Sequence, residues 1–255
     1  SWSFREHRNL RMGATVWKQV SNHDSLDGSG IFDPRAFVFF ESNNAGDWVP
    51  YPQIPDANTP PAGGFPYGTH RDLNYTIKGE DCIYSPFNYY LTRDEEYVPE
   101  VLMTGAEVHF IKAEAYMRGI GVPADPGEAE MQYFAAALSS VAFWNNVMDN
   151  TPMWGNIDPG HGNPKAYNVA NLIFLTEDKL GLIYTQRWLD AFRQPWEAYA
   201  LARRTGQTPR EGAPIDHFRL PYPPSEKENN AANCVAAISN QGGDEPQFKL
   251  WWVPD

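Results

Sequence analysis

The stretch EVLMTGAEVHFIKAEAYMRG, residues 100–119, predicts the main element of the fold. Its apolar residues recur every three or four positions, which is the spacing of one face of an α-helix. Gly119, Gly121 and Pro123 follow and predict the end of this helix, because glycine terminates helices and proline cannot continue them. The apolar face comprises Leu102, Ala106, Phe110, Ala113 and Met117.

The sequence downstream predicts a second helix that packs beside the first. It follows Asp125-Pro126, and proline is well tolerated at the first helical position. Small residues at positions 105, 106, 113 and 135–137 would let two antiparallel helices approach closely. Paired helices with small contact residues indicate tetratricopeptide-like hairpins. The predicted apolar face of the second helix comprises Met131, Phe134, Ala135, Leu138, Ala142 and Val147.

Two more helices complete a helical region over residues 99–206. The third is predicted to begin at Thr176, a good N-cap, and to break at Pro195. The fourth starts at about Trp196 and ends at Gly206. The apolar residues of the third helix are Leu180, Ile183, Tyr184, Trp188 and Phe192.

The regions on either side of these helices are rich in loops. In the first, residues 1–98, residues 2–20 could form a helix, and AFVFF (residues 36–40) reads as a buried strand or another packed segment. Six prolines from Pro50 to Pro66 exclude regular helix there. The tail, residues 207–255, is expected to pack on the helical body. The predicted fold is therefore mainly α, with tetratricopeptide-like helical hairpins and long irregular Pro/Gly-rich loops, in one domain.

The composition of the 255 residues excludes several classes of protein. Lys and Arg number 20 against 32 Asp and Glu, a net charge of −12, whereas a nucleic-acid binder needs a basic surface. A hydrophobic content of 42% is too high for disorder, and no apolar run approaches the roughly 20 residues of a membrane helix. Cys82 and Cys234 can form one disulfide or none, and the sequence has no CxxC pair.

Catalytic and metal-binding motifs are missing from the sequence, which contains no HExxH, GxSxG or phosphate-binding loop. Glu107 and Glu114 lie two turns apart on one helix and are interpreted as solvated or salt-bridged surface charges rather than a glycosidase pair. No cofactor is expected. Calcium is an alternative at a loop whose spacing departs from that of the EF-hand, so a solvated turn is favoured. The oxygen-bearing residues of this loop are Asn22, Asp24, Asp27 and Ser29.

Aromatic residues beside polar groups in the first region predict a sugar-binding site. Sugars stack their C–H faces on aromatic rings, and their hydroxyls bind amides and carboxylates. In NNAGDWVPY, residues 43–51, we expect Trp48 and Tyr51 to stack on a sugar and Asn44 and Asp47 to bind its hydroxyls. Tyr67 follows beyond the prolines and is assigned to the same site. The alternative is that these loops tuck their rings onto the helices.

Several segments resemble the SusD/RagB family, which comprises surface glycan-capture lipoproteins of Bacteroidetes-type bacteria. They are residues 100–119, IYTQRWLDAFRQPWEAYALARRTG (183–206), RLPYPPSEKENNAAN (219–233) and KLWW (249–252), with DPRAFVFF (33–40) upstream. The resemblance implies a helical scaffold without enzymatic activity. Such a protein would hold an oligosaccharide or polysaccharide for a TonB-dependent outer-membrane transporter of the SusC type.

Family members are about twice as long, opening with a lipoprotein signal, a lipid-bearing cysteine and further helical repeats. This chain resembles their C-terminal half. The resemblance therefore implies a location on the extracellular face of the outer membrane, through a lipid anchor that lies outside these residues. Part of the glycan site could lie in that other half.

Two other functions remain open on the sequence. A glycoside hydrolase or lyase would release reducing ends, but no separable acid/base pair is visible. A helical-repeat scaffold that binds only proteins would have no affinity for sugar, but no exposed peptide groove is visible.

Overall fold

The chain folds into two compact units, Ser1–Gly212 and Ala213–Asp255. The computed structural model describes residues 10–62, 82–88, 91, 99–149, 178–212 and 217–249. Within these ranges all regular secondary structure is helical, and backbone pairing between segments is limited to isolated β-bridges. The same ranges contain no helix with the length and apolarity that a membrane span requires. The prediction of a mainly α fold is confirmed.

The first unit contains α1 (Ala14–Val20), α2 (Arg35–Phe39), α3 (Gly105–Arg118), α4 (Pro126–Asp149), α5 (Lys179–Asp190), a 3₁₀ turn (Ala191–Arg193) and α6 (Pro195–Thr205). The second unit contains α7 (Pro224–Asn229) and α8 (Ala231–Gln241).

Helix α3 has the boundaries that its local sequence favours. The Thr104 hydroxyl caps its start by accepting from the Glu107 backbone N–H at 3.0 Å. Gly119 ends it in the left-handed conformation, with φ of 65°. The predicted end is therefore confirmed. Leu102 lies before the helix and is 84% exposed, so its assignment to the buried face was wrong.

Helices α3 and α4 form a hairpin whose contact surface is rich in alanine. Ala106 and Ala113 of α3 and Ala136 of α4 are fully buried, as the small residues predicted. The predicted apolar face of α4 was wrong at Met131 and Leu138, which are more than half exposed, whereas the predicted Val147 is buried. The buried face instead carries Ala129, Tyr133, Ala136, Ala137, Ser140, Val141, Trp144, Val147 and Met148. Close packing against α3 favours small side chains such as alanine on this face of α4. A prediction based on the most hydrophobic residues therefore chose residues that face away from α3.

Helices α5 and α6 complete the helical part of the unit. Asp178 caps α5 by accepting from the Gly181 backbone N–H at 2.8 Å, whereas the predicted cap Thr176 lies outside the described residues. Helix α6 begins at Pro195, one residue before the predicted start, and a left-handed Gly206 follows its end, as predicted. A core joins these helices to the α3–α4 hairpin through Phe110, Tyr133, Ile183, Tyr184 and Leu201.

The irregular region, residues 10–62 and 82–88, packs its aromatic rings against the helices. Residues 36–40 are almost completely buried, but residues 36–39 belong to α2 rather than to a strand, and Phe40 follows the helix in an extended conformation. Helix α1 covers only the end of the predicted helix at 2–20, and residues 2–9 lie outside the described ranges. The ring of Phe39 stacks on that of Phe192 with centroids 4.0 Å apart. The other large residues of this core include Trp17, Phe37, Phe40 and Trp48, with Trp144, Met148 and Leu189 from α4 and α5.

A buried arginine ties α2 to two other helices. Arg35 is 1% exposed and donates through Nε and Nη2 to Asp33, at 3.0 and 2.6 Å. Its Nη1 donates to Ser140 of α4 at 2.9 Å, and its Nη2 also donates to Gln186 of α5. Because an unpaired buried charge is costly, these partners make the position of α2 specific.

The second unit is stabilised by an ion cluster on Asp244. Arg219 and Lys227 approach its carboxylate at 3.0 and 2.7 Å, and its Oδ1 also accepts from the Tyr222 backbone N–H. Cys82 in the first unit and Cys234 in the second are both buried, and neither forms a disulfide. The packing of residues 207–255 on the helical body stays a prediction.

Candidate functional site

A cavity of about 750 Å³ lies in the first unit, between the irregular region and helices α5 and α6. Its walls are mainly apolar. The aromatic rings that line it belong to Phe40, Tyr51, Phe87, Trp188 and Phe192. Trp188 and Phe192 are half-buried, one turn apart along the chain, so both lie on the same side. A concave, largely apolar space with a few polar groups is the usual form of a small-ligand site.

Tyr51 is the predicted site residue that the structure places at this cavity. Its backbone is held on both sides: its N–H donates to Met12 at 2.7 Å, and its carbonyl accepts from Ala14 at 2.8 Å. The edge of its ring meets the ring of Tyr84 with centroids 4.9 Å apart. Tyr84 is fixed in turn by donating to the Pro60 carbonyl at 2.9 Å, and burial raises its pKa. Tyr51 is therefore a half-buried ring in a rigid setting.

The lining residues with polar side-chain groups are Arg11, Thr15, Tyr51 and Gln53. Gln53 lies at the exposed rim, where its Oε1 accepts from the Thr15 hydroxyl and from the Glu211 backbone N–H, each at 2.8 Å. Lys18 holds the Glu211 carboxylate at 2.8 Å, and this contact lowers the carboxylate pKa. The rim is thus tied together by α1, residue 53 and the segment after α6.

The cavity lining contains an arginine but no carboxylate, although the whole chain has a net charge of −12. Arg11 is buried and donates from Nη2 to the Ala62 carbonyl at 2.8 Å. Because a cation would meet a guanidinium and no counter-ion in the lining, the cavity does not suit a cationic ligand.

Trp48 does not line this cavity. Its ring is 1% exposed, stacks on Trp17 with centroids 6.3 Å apart, and meets Phe37 edge-on at 5.4 Å. Gly28 also passes so close that a Cβ there would lie 2.8 Å from the indole nitrogen. The expectation that Trp48 stacks on a sugar is therefore incompatible with the structure, because both faces of its ring are covered by protein.

The other predicted site residues fall in different places. Asn44 and Asp47 are exposed on a turn that Asn43 organises, its Oδ1 accepting from Ala45 and Asp47 backbone N–H groups at 2.9 Å. Neither Asn44 nor Asp47 lines the cavity. Tyr67 lies outside the described residues. Sequence reasoning placed Trp188 and Phe192 only on the apolar face of a helix, and nothing in the sequence distinguished Gln53.

The carboxylates considered for catalysis are held in ion pairs. Glu114 accepts from Arg204 at 2.5 and 2.7 Å, from Arg118 at 2.8 Å and from the Tyr184 hydroxyl at 3.0 Å. Burial acts to raise the Glu114 pKa, but these hydrogen bonds lower it to about 2. Glu107 accepts from Arg187 at 2.9 Å. Glu107 and Glu114 are therefore both salt-bridged, one of the two states that the sequence predicted for them. A carboxyl group with a pKa as low as that of Glu114 is also a poor general acid.

The loop considered for calcium is closed by its own hydrogen bonds. The Asp27 carboxylate accepts from the Ser25 hydroxyl and the Ser29 backbone N–H, each at 2.8 Å. Hydrogen bonds from Ser29 and Ser25 lower the Asp27 pKa to about 2. The residues that the structure describes contain no group of three or more His, Cys, Asp and Glu arranged to hold a metal ion. Calcium at this loop stays an untested alternative.

Comparison with known proteins finds both a matching family and similar folds. Residues 30–216 match the family SusD-like_2, described as "Starch-binding associating with outer membrane". An outer membrane protein of Bacteroides vulgatus ATCC 8482, proposed to bind nutrients, is 21% identical with a TM-score of 0.56, over 92% of this chain and 53% of its own. A chitin-binding protein is 22% identical with a TM-score of 0.51, over 88% of this chain and 47% of its own.

A Bacteroidetes AC2a SusD-like protein also matches, at 23% identity and a TM-score of 0.45, over 69% of this chain and 34% of its own. The similarities to the Bacteroides vulgatus protein and to the chitin-binding protein show a shared fold. This chain spans about half the length of the Bacteroides vulgatus protein and of the chitin-binding protein. No curated protein sequence is significantly similar to it.

Proposed function

This chain belongs to the SusD-like family of starch-binding proteins associated with the outer membrane, and from that premise we propose that it binds a glycan in the cavity beside Tyr51 and Trp188. The observation that carries the proposal is the combination of accessible aromatic rings with a few fixed polar groups in one concave space. Tyr51 and Trp188 would stack on the C–H faces of sugar rings, and Gln53 and Thr15 would meet the hydroxyls.

We propose a neutral rather than a cationic glycan as the ligand class, because the cavity lining holds a guanidinium and no carboxylate that could pair with a cation. Asn44 and Asp47 are exposed and could contact parts of a longer glycan outside the cavity. Binding without hydrolysis is part of the proposal, since the ion-paired Glu107 and Glu114 are not suited to acid catalysis.

The wider setting is proposed from the family. A SusD-like protein on the extracellular face of the outer membrane, held by a lipid anchor, would pass the captured glycan to a TonB-dependent transporter of the SusC type. The family description, which links starch binding with the outer membrane, supports this setting. The transporter, the anchor and the glycan itself belong to the proposal.

Alanine variants of Tyr51 and Trp188 test the cavity. Loss of a stacked ring should weaken binding of a neutral oligosaccharide by about 5- to 150-fold, the equivalent of roughly 1–3 kcal/mol per ring. The measurement is isothermal titration with malto-, cello- and chito-oligosaccharides, with thermal melting to verify the fold of each variant.

Trp196→Ala is the matched control, because Trp196 is 82% exposed on α6 and does not line the cavity. Unchanged affinity in folded Tyr51→Ala and Trp188→Ala proteins would contradict the cavity as the glycan site. Release of reducing ends by the wild-type protein would contradict a purely binding function.

A further inference from the structure

The side-chain amide of Gln53 has a defined orientation. Its Oε1 lies 2.8 Å from the backbone nitrogen of Glu211 and 2.8 Å from the hydroxyl of Thr15. A backbone N–H can only donate, so the amide atom that faces Glu211 must be the oxygen. The Nε2 atom therefore points the other way and carries both of its N–H donors with it.

The Nε2 of Gln53 has no hydrogen-bond acceptor among the described residues, while Gln53 lines the aromatic cavity. Each of its other polar contacts is made through the oxygen. An amide NH₂ offers two donors, and binding strength is gained when a ligand oxygen meets them. The rim of the cavity therefore carries a pair of oriented donors on a residue that shares the cavity lining with Tyr51.

The amide is held before any ligand arrives. Thr15 belongs to α1 and Glu211 follows α6, so the two hydrogen bonds to Oε1 come from two different parts of the unit. The ion pair between Lys18 and Glu211, at 2.8 Å, adds a second connection between the same parts. A side chain that is already oriented loses little conformational entropy on binding, which favours both affinity and selectivity.

We propose that Gln53 determines the ligand specificity of the cavity by donating its two Nε2 hydrogens to hydroxyl or ring oxygens of a neutral sugar. This inference rests on the proposed glycan-binding function. A hydroxyl oxygen accepts such hydrogen bonds, whereas the ammonium group of an amino sugar can only donate. The amide thus selects neutral sugars over their cationic amino counterparts.

The test is the Gln53→Glu variant, which is nearly isosteric. Its carboxylate can still accept from Thr15 and Glu211, so the contacts at the rim are retained, but the donor pair becomes an acceptor. The probes are a chito-oligosaccharide, which is neutral because its amines are acetylated, and the deacetylated chitosan oligosaccharide of equal length, which is cationic. Titration calorimetry at pH 6 gives both dissociation constants for each protein.

For wild-type protein we expect binding of the neutral oligomer and little or none of the cationic one. Gln53→Glu should weaken the neutral oligomer by roughly tenfold or more and strengthen the cationic one, because the lost donors are replaced by a negative charge. The control is Gln207→Glu, which makes the same change from amide to carboxylate at an exposed residue outside the cavity lining; its affinities should stay close to those of wild type.

Two outcomes would overturn the inference in different ways. If wild type and Gln53→Glu bind both oligomers equally while Tyr51→Ala weakens binding, the role of Gln53 is wrong and the glycan site stands. If wild type binds neither these oligomers nor any other neutral glycan tested, the proposed function and the inference both fail.

Discussion

The irregular region and helix α6 hold tryptophans in opposite settings. Trp48 lies in a loop between the turn at Gly46 and Pro50, yet only 1% of it is exposed. Trp196 lies in the first turn of a regular helix, yet 82% of it is exposed. The loop therefore contributes a large ring to the core, and the helix presents one to solvent.

Hydrogen bonding of the backbone explains this difference. The loop can carry Trp48 inside because its own peptide groups find partners: Trp48 N–H donates to Leu26 at 2.6 Å, and Val49 N–H donates to the Ser85 hydroxyl at 2.9 Å. A helix satisfies its peptide groups internally, so α6 can leave one face uncovered. A loop can therefore pass through the protein interior when its backbone N–H and C=O groups are hydrogen-bonded. Whether a residue lies in a loop or a helix does not by itself predict whether it is buried.

Trp48→Ala should give the largest effect on stability. Removing a fully buried ring leaves a cavity between Trp17 and Phe37, and such changes cost about 3–5 kcal/mol of unfolding free energy. Guanidinium denaturation followed by circular dichroism measures it. Trp196→Ala is the control and should stay within about 0.5 kcal/mol of wild type. Similar losses in both variants would remove the contrast between the two regions.

Glu114→Gln should give an intermediate effect that depends on pH. The variant leaves Arg204 and Tyr184 with weaker partners and should cost about 1–3 kcal/mol at pH 7. The Glu114 pKa falls from an ordinary 4.5 to about 2 on folding, so the carboxylate stabilises the protein above pH 4.5. That contribution is lost as the pH falls from 4.5 towards 2.

Thermal melting of wild type and Glu114→Gln at pH 7 and pH 2.5 tests this dependence. The difference between the two proteins should shrink at the lower pH, whereas the exposed Glu228→Gln should differ little from wild type at either. An equal difference in melting temperature at both pH values would show that the ion pairs of Glu114 add no pH-dependent stability.

Leu138→Gln should give the smallest effect. Leu138 is 56% exposed on α4, so its exchange should change the unfolding free energy by no more than about 0.5 kcal/mol. Ala136→Leu, two residues earlier on the same helix, is the contrast, because overpacking the buried contact with α3 should cost about 1–3 kcal/mol. The same denaturation assay ranks the two, and the reverse order would contradict the buried face of α4.

These contrasts also explain which features the sequence could predict. The ends of α3 and α6 follow from local signals, since Gly119 and Gly206 both adopt left-handed conformations. The buried face of α4 depends on its fit against α3, and alanine carries little hydrophobic signal. The cavity could not be predicted, because Tyr51 and Trp188 come from distant segments and meet only in the folded chain. Trp48 was misplaced because its loop position suggested exposure.

The contacts of α2 have a consequence for the order of events during synthesis. Arg35 hydrogen-bonds Gln186, which is 151 residues further along the chain, and Phe39 stacks on Phe192. At roughly 5–20 residues per second, a ribosome needs about 8–30 s to cover that interval. Until then the aromatic rings of the irregular region have no α5 to pack against. The irregular region is therefore synthesised first but packs only after α5 has been made. During that interval its aromatic side chains stay exposed unless another molecule, such as a chaperone, covers them.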